Sequence, residues 1–190
     1  MENTKREGSR ASRYAERPAF NFILKRHNNL FQKIVTMDNI RLAFKKAARG
    51  KHRYTQVREV EQDLDNKLLE IQRMLIEGTF RTSKYKIRKI YEPKERTIYV
   101  LPFFPDRIVQ HAIMNIVAPI WDKIFIHDSF SCRKNKGQHA ASKKLMKFIG
   151  GKKDLYCLHC DISKFFPSIN HDIMMHIIRR KILFIALMVV

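Results

Sequence analysis

Apolar residues recur along the chain at two spacings, and the change from one to the other separates helical from extended stretches. Ile40, Ala43, Phe44 and Ala47 share one face at three- and four-residue steps. Asp38 stands where a cap is needed and Gly50 where the helix must stop, so a short helix is expected between them. Val57, Val60, Leu64, Leu68, Ile71 and Leu75 keep the same step until Gly78, which predicts a second, continuous amphipathic helix.

The step then shortens to two. Tyr85, Ile87 and Lys89 alternate with Lys86, Arg88 and Ile90, and a turn at Glu92-Pro93-Lys94-Glu95 leads into residues 97–101. This is a hairpin pattern with basic residues on its exposed side. Helical spacing returns after Pro105 with Ile108, Ala112, Ile113, Ile116 and Ile120. They predict a helix of about four turns, which Pro119 must kink or end one turn early. A loop carrying Gly137 precedes a helical run over 139–149, broken by Gly150 and Gly151. Residues 155–161 read as a buried strand, and Asn170 caps a last helix whose Ile173, Met174, Ile177 and Ile178 face inward. Helices around a few antiparallel strands make an α+β chain. The stretch through about Arg17 is rich in Arg, Ser and Glu without apolar period and reads as a mobile basic arm.

Composition adds a partner to this picture. With 190 residues, 45% of them hydrophobic, the chain can bury a core. Its 38 Lys and Arg against 18 Asp and Glu leave a formal charge of +20, which calls for a polyanion. The charges are spread along the chain and not gathered on one amphipathic helix, which favours nucleic acid over an anionic membrane surface. The apolar run 182–190 is shorter than the roughly 20 residues of a spanning helix. Cys132, Cys157 and Cys160 give an odd count in a chain that starts polar and basic, so reduced thiols in the cytoplasm are expected. Cys157 and Cys160 have the spacing of half a zinc site but no second pair, and are read as small buried residues of the strand. His111, His127 and His139 read as structural, and Met174-Met175 as core.

The chemistry concentrates at residues 157–169. Asp161 follows an apolar stretch and precedes a tight turn with Phe165 and Phe166. A carboxylate on a rigid element is what a hard cation such as magnesium requires, and a palm-type polymerase presents one in this way. On this segment alone, Asp161 serves equally well as a cap of the turn.

Three upstream blocks alter that balance: residues 96–102 (Arg-Thr-Ile-Tyr-Val-Leu-Pro), 105–112 (Pro-Asp-Arg-Ile-Val-Gln-His-Ala) and 128–141, which holds Arg133, Lys134, Lys136 and Gly137. In order and spacing they resemble successive blocks of bacterial reverse transcriptases, the enzymes of group II introns, retrons and diversity-generating retroelements. The resemblance runs from roughly residue 30 to 181, and several ordered blocks are more specific than a lone motif.

The resemblance implies the fingers and partial palm of a right-hand polymerase: a basic arm over 1–30, a fingers region over 31–150 and the start of the palm over 151–190. It implies an RNA-directed DNA polymerase acting on an RNA template, a DNA or RNA primer and dNTPs, with Mg2+ as cofactor. Asp161 would be the catalytic carboxylate binding the ions, with the Ile162 carbonyl as second ligand; in such sites two ions lie roughly 3.5 to 4 Å apart. Phe166 would pack under the sugar and exclude a 2′-hydroxyl, which argues against an RNA polymerase; it also reads as a plain core phenylalanine. Lys94 and Arg96 would face the triphosphate, since a guanidinium grips two phosphate oxygens. Arg88 is placed for the same work or for a solvated strand face. Arg107, Gln110, Arg133, Lys134 and Lys136 would meet template or primer phosphates.

The resembling enzymes complete their site with a Tyr-x-Asp-Asp hairpin, which does not occur here, so this chain alone is expected not to polymerise. Their continuation after residue 182 is polar, whereas 183–190 is nearly all apolar, and an interrupted reading frame is the expectation. A function of a different class stays open: a non-catalytic basic RNA-binding remnant or accessory protein.

Overall fold

The computed structural model describes residues 26–183, so the basic arm through residue 25 and the apolar tail beyond Leu183 lie outside the described residues. Helical periodicity becomes five packed helices: α1 (Leu30–Ile34), α2 (Met37–Ala48), α3 (Thr55–Gln62), α4 (Leu64–Ile76) and α5 (Ile108–Asp122). The apolar stripes meet in one core. Ile40, Ala43 and Phe44 of α2 pack with Leu68, Ile71 and Leu75 of α4 and with Ile108, Val109 and Ala112 of α5. Phe44 meets Phe103 edge-on at 6.1 Å between ring centroids.

Two polar side chains are buried among the described residues, Asn39 and Asp106, and Asn39 ties the helices of the core together. Asn39 is buried, and its Nδ2 donates to the carbonyls of Ile34 (2.9 Å) and Ala112 (3.0 Å). Its Oδ1 accepts from Asn115 Nδ2 at 3.0 Å. A single amide therefore joins α1, α2 and α5.

Several expectations need correction. The cap of α2 is Thr36, whose Oγ1 accepts the Asn39 N–H at 3.4 Å; Asp38 lies in the first turn, where its charge favours the helix dipole. The run from Val57 to Leu75 is two helices, because Asp63 leaves the helical conformation (φ −137°, ψ 50°). Apolar spacing continues unbroken across that residue, so periodicity could not reveal the break. Helix α5 continues past Pro119 to Asp122, with Ile120 of its last turn buried in the core. At Gly78 the chain reverses through a positive φ (+69°), which lets the Thr79 and Phe80 N–H groups return to the Met74 carbonyl.

Strands β1 (Lys86–Ile90) and β2 (Arg96–Val100) pair antiparallel, from Lys86 opposite Val100 to Ile90 opposite Arg96, and form the two-stranded sheet among the described residues. Both faces are exposed, not one as expected. A wide turn over Phe103–Arg107, with Phe104 extended, feeds α5. The architecture mixes helices with a small antiparallel sheet, compatible with the α+β expectation.

Beyond α5 little is buried. Helix α6 (Gln138–Ile149) buries none of its residues and ends on Gly150 in the left-handed region (φ +47°). Residues 155–161 are exposed and unpaired, not a buried strand. A strand needs a ladder partner, and β1 and β2 satisfy only each other. Cys157 and Cys160 are consequently exposed as well. Helix α7 (His171–Arg179) is capped as expected, Asn170 Oδ1 accepting the Ile173 N–H at 3.0 Å. Ile173, Met174 and Ile177 nevertheless face outward, and only Ile178 packs against the core.

The chain returns to the core at Ile182, which is 0% exposed. Beside it, His27 N–H donates to the Lys181 carbonyl (2.8 Å) and Leu183 N–H to the His27 carbonyl (2.9 Å), a parallel bridge.

Replacing Asn39 by Ala removes three hydrogen bonds, those to the carbonyls of Ile34 and Ala112 and that from the Asn115 amide. Urea denaturation should show Asn39→Ala less stable by about 1 to 3 kcal/mol. Asn39→Asp should lose at least as much at neutral pH, because a carboxylate cannot donate to carbonyls. An unchanged midpoint in both would mean that the amide network contributes nothing net.

Candidate functional site

Side chains alternate across a strand and paired residues share a face, so the register sets Lys86, Arg88 and Arg96 on one side of the hairpin with Ile90, Ile98 and Val100. Arg88 lies opposite Ile98, which makes Arg96 its diagonal neighbour, roughly 7 to 8 Å away. Arg96 thus stands toward the tip, close in sequence to the exposed Lys94, while Arg88 stands toward the root. The opposite face carries the Tyr85–Tyr99 contact (6.1 Å, edge to face) and the Lys89–Glu95 ion pair (2.9 Å).

At the root of the hairpin a cleft of about 440 Å³ opens between β1, β2 and the start of α3. Val57, Val100 and Phe103 give it apolar walls, and Lys51, Arg88 and Arg107 line it with positive charge. None of these three cations pairs with an acidic residue among the described residues. Gln56 Oε1 accepts the Phe103 N–H at 3.2 Å and ties α3 to the turn before α5. Gln110, one turn beyond Arg107, is exposed on α5. Half-buried His111, on the same helix, is pushed below its ordinary pKa of 6.5, first by burial and then by Arg107, Lys51 and Lys46.

The Gly137 loop treats its cations unequally. Arg133 is turned inward, its side chain 12% exposed, with Nε on Asp122 Oδ1 (2.7 Å) and further bonds to the carbonyls of Asp122, Ile126 and Ser129. Lys136 donates to the His127 carbonyl and lies over the Phe130 ring. Both close the loop on itself and leave Lys134 at the exposed surface.

Asp161 is exposed, and its Oδ1 accepts the N–H of Ile162 at 2.9 Å, the local bond of a turn. Among the described residues no group of three His, Cys, Asp or Glu side chains could hold a metal ion, so these donors do not by themselves fit a two-ion site. Phe166 is 81% exposed, with its ring edge-on to that of Phe165 at 5.3 Å, and is not a core phenylalanine. Neither Asp161 nor Phe166 lines the cleft that holds Arg88 and Arg107. Among the described residues no helix is long and apolar enough to cross a membrane.

Sequence reasoning passed over Lys51, Tyr54 and Gln56. The signal available was the run Lys51-His52-Arg53-Tyr54 just after a helix stop, basic residues next to an aromatic one.

No family model matches the chain. Over 101 residues, 50% of the chain, it is 28% identical to Protein YkfC of Escherichia coli (strain K12). Over 122 residues, 62% of the chain, it is 25% identical to Group II intron-encoded protein LtrA of Lactococcus lactis subsp. cremoris. The matched segments amount to 26% and 20% of those proteins, so the chain spans about a quarter to a fifth of the relatives it matches.

Two outcomes follow from the geometry. Arg133→Ala should open the loop over 123–137 to proteases and speed its amide exchange while the helical core keeps its protection; Arg133→Lys, lacking the fork of donors, should not restore it. Equal exchange in both variants and the parent would show that the guanidinium does not hold the loop. His111 has a folded pKa below its unfolded value. Its contribution to stability is therefore full above pH 6.5 and is lost as pH falls through the folded value. His111→Gln should flatten the acid side of a Tm against pH profile, and an unaltered slope there would contradict the shift.

Proposed function

We propose that the chain acts as the fingers and first palm segment of an RNA-directed DNA polymerase of the group II intron, retron or diversity-generating type. What carries this reading is the ordered series of blocks over residues 96–161, supported by the similarity over 62% of the chain to a group II intron-encoded protein. The charge of +20 agrees with a nucleic-acid partner.

On this reading Lys94 and Arg96, at the hairpin tip, meet the triphosphate of an incoming dNTP. Arg107, Gln110 and Lys134 meet phosphates of an RNA template or its primer, while Arg133 and Lys136 hold the loop that presents Lys134. Asp161 supplies one carboxylate, beside the Ile162 carbonyl, to magnesium, whose part in such enzymes is to activate the primer hydroxyl and neutralise the triphosphate. Phe166, exposed on its turn, is free to pack against a deoxyribose. One carboxylate does not complete a two-ion site, so no step of the transfer is assigned to the residues at hand. The chain is expected to bind template and primer without extending them.

The test is binding of the full chain to an RNA template annealed to a DNA primer, followed over a salt series. Log affinity should fall against log salt by about 0.7 to 0.9 per phosphate contact, and Arg107→Ala or Lys134→Ala should each reduce the slope by about one contact. Asp161→Ala should bind as well as the parent, or slightly better. Failure to bind at any salt would defeat the proposal. Equal affinity for plain RNA and template–primer would favour the non-catalytic RNA binder, a reading to which the lone Asp161 already lends weight. In an enzyme completed with a Tyr-x-Asp-Asp segment, primer extension at full rate after Asp161→Ala would remove the catalytic assignment.

A further inference from the structure

The cleft at the hairpin root has no place in that scheme as a whole, since only two of its cations were singled out and for different tasks. Lys51, Arg88 and Arg107 come from three separated parts of the chain and converge on one concavity with no acidic partner among the described residues. Like charges gathered over apolar walls repel, and more strongly than in open water. The nearest acid in sequence, Asp106, forms no ion pair with them among the described residues. It is 1% exposed, does not line the cleft, and its Oδ1 accepts the Ser83 N–H at 2.9 Å.

A second, independent source of positive potential opens on the same space. Helix α3 begins at Thr55 with no side-chain cap, and the N–H groups of Thr55 and Gln56, both cleft residues, have no hydrogen-bond acceptor among the described residues. Uncapped N–H groups at a helix start attract an anion. Tyr54, also lining the cleft, is 65% exposed, and an exposed aromatic side chain is the kind of platform on which a base stacks. The volume, about 440 Å³, falls within the roughly 300 to 1,000 Å³ usual for small-ligand sites.

We propose that this cleft is a nucleotide-binding site separate from the hairpin tip, taking phosphate on Lys51, Arg88, Arg107 and the start of α3 and a base on Tyr54. The inference rests on the nucleic-acid reading above. It withdraws Arg88 from the triphosphate at the tip and gives it to this site. Phosphate and base are shared by a single strand and a free nucleoside triphosphate, and the experiment separates those sources.

The full chain is titrated with a labelled short single-stranded RNA and, separately, with a fluorescent nucleoside triphosphate without divalent metal. Lys51→Ala and Tyr54→Ala should each weaken binding about ten-fold, the scale of one charged hydrogen bond or one stacked base. Lys51→Arg and Tyr54→Phe should largely restore it, and all four should keep the parent's Tm because both positions are exposed. Iodouracil-containing RNA should cross-link to Tyr54. Loss confined to RNA makes the occupant a strand, and loss confined to the triphosphate makes it a free nucleotide; either supports the site. If the parent binds RNA and neither alanine variant weakens either ligand, the cleft proposal fails and the RNA-binding reading stands. If the parent binds neither ligand, both fail.

Discussion

The buried amide of Asn39 is the constraint on which the arrangement depends. Apolar stripes alone would let α2 and α5 slide along one another, since burial is proportional to area and indifferent to register. An amide that must satisfy Ile34, Ala112 and Asn115 at once permits one register. Once α5 is fixed on α2, the turn at 103–107 is fixed too, and with it Arg107 at the mouth of the cleft. Asp106 and Gln56 then secure the two approaches to that turn, one through Ser83 and the other through Phe103. The polar contacts are few, but they fall where a helix start or the hairpin's entry would otherwise be unfixed.

Around this frame the charged residues divide into those neutralised at home and those that are not. Arg41, Lys67, Lys89 and Arg133 have carboxylate partners. Lys51, Arg88, Arg96, Arg107 and Lys134 have none among the described residues, and they lie on the hairpin, the cleft and the tip of the Gly137 loop. Exposed pairs contribute little to stability, so the division matters less for folding than for where a polyanion would be drawn. The pKa of His111 is lowered first by burial and then by the same cations, Arg107, Lys51 and Lys46, which disfavour its proton.

The helical half of the fold was legible because period and burial agree there: Ile40, Phe44, Leu68, Ile71 and Ile108 were assigned to the interior and are buried. The hairpin was legible from alternation and its turn residues, though not the exposure of both its faces. Residues 155–161 misled because an apolar extended segment is a strand only when something pairs with it, and pairing is not a property of the segment. Asn39 was invisible for a related reason, since its partners stand 73 and 76 residues away. Of the candidate site, single motif residues such as Arg96 and Asp161 could be picked out, but the convergence of Lys51 with Arg88 and Arg107 is a product of the fold. The inward turn of Arg133 is likewise set by Asp122, eleven residues upstream.

The bridge between His27 and Ile182 gives the chain a topological property. Residues 123–177 bury little of their own, yet both flanks of that stretch are anchored, by α5 on one side and by Ile182 on the other. A tethered loop has far fewer conformations to explore than a dangling end, and the entropy removed by closure grows only slowly with its length. The clasp therefore acts as a return address: it keeps α6, Asp161 and α7 within one loop's reach of the helical core. Within the stretch, Arg133 on Asp122 and Ile178 on the core shorten the loop further.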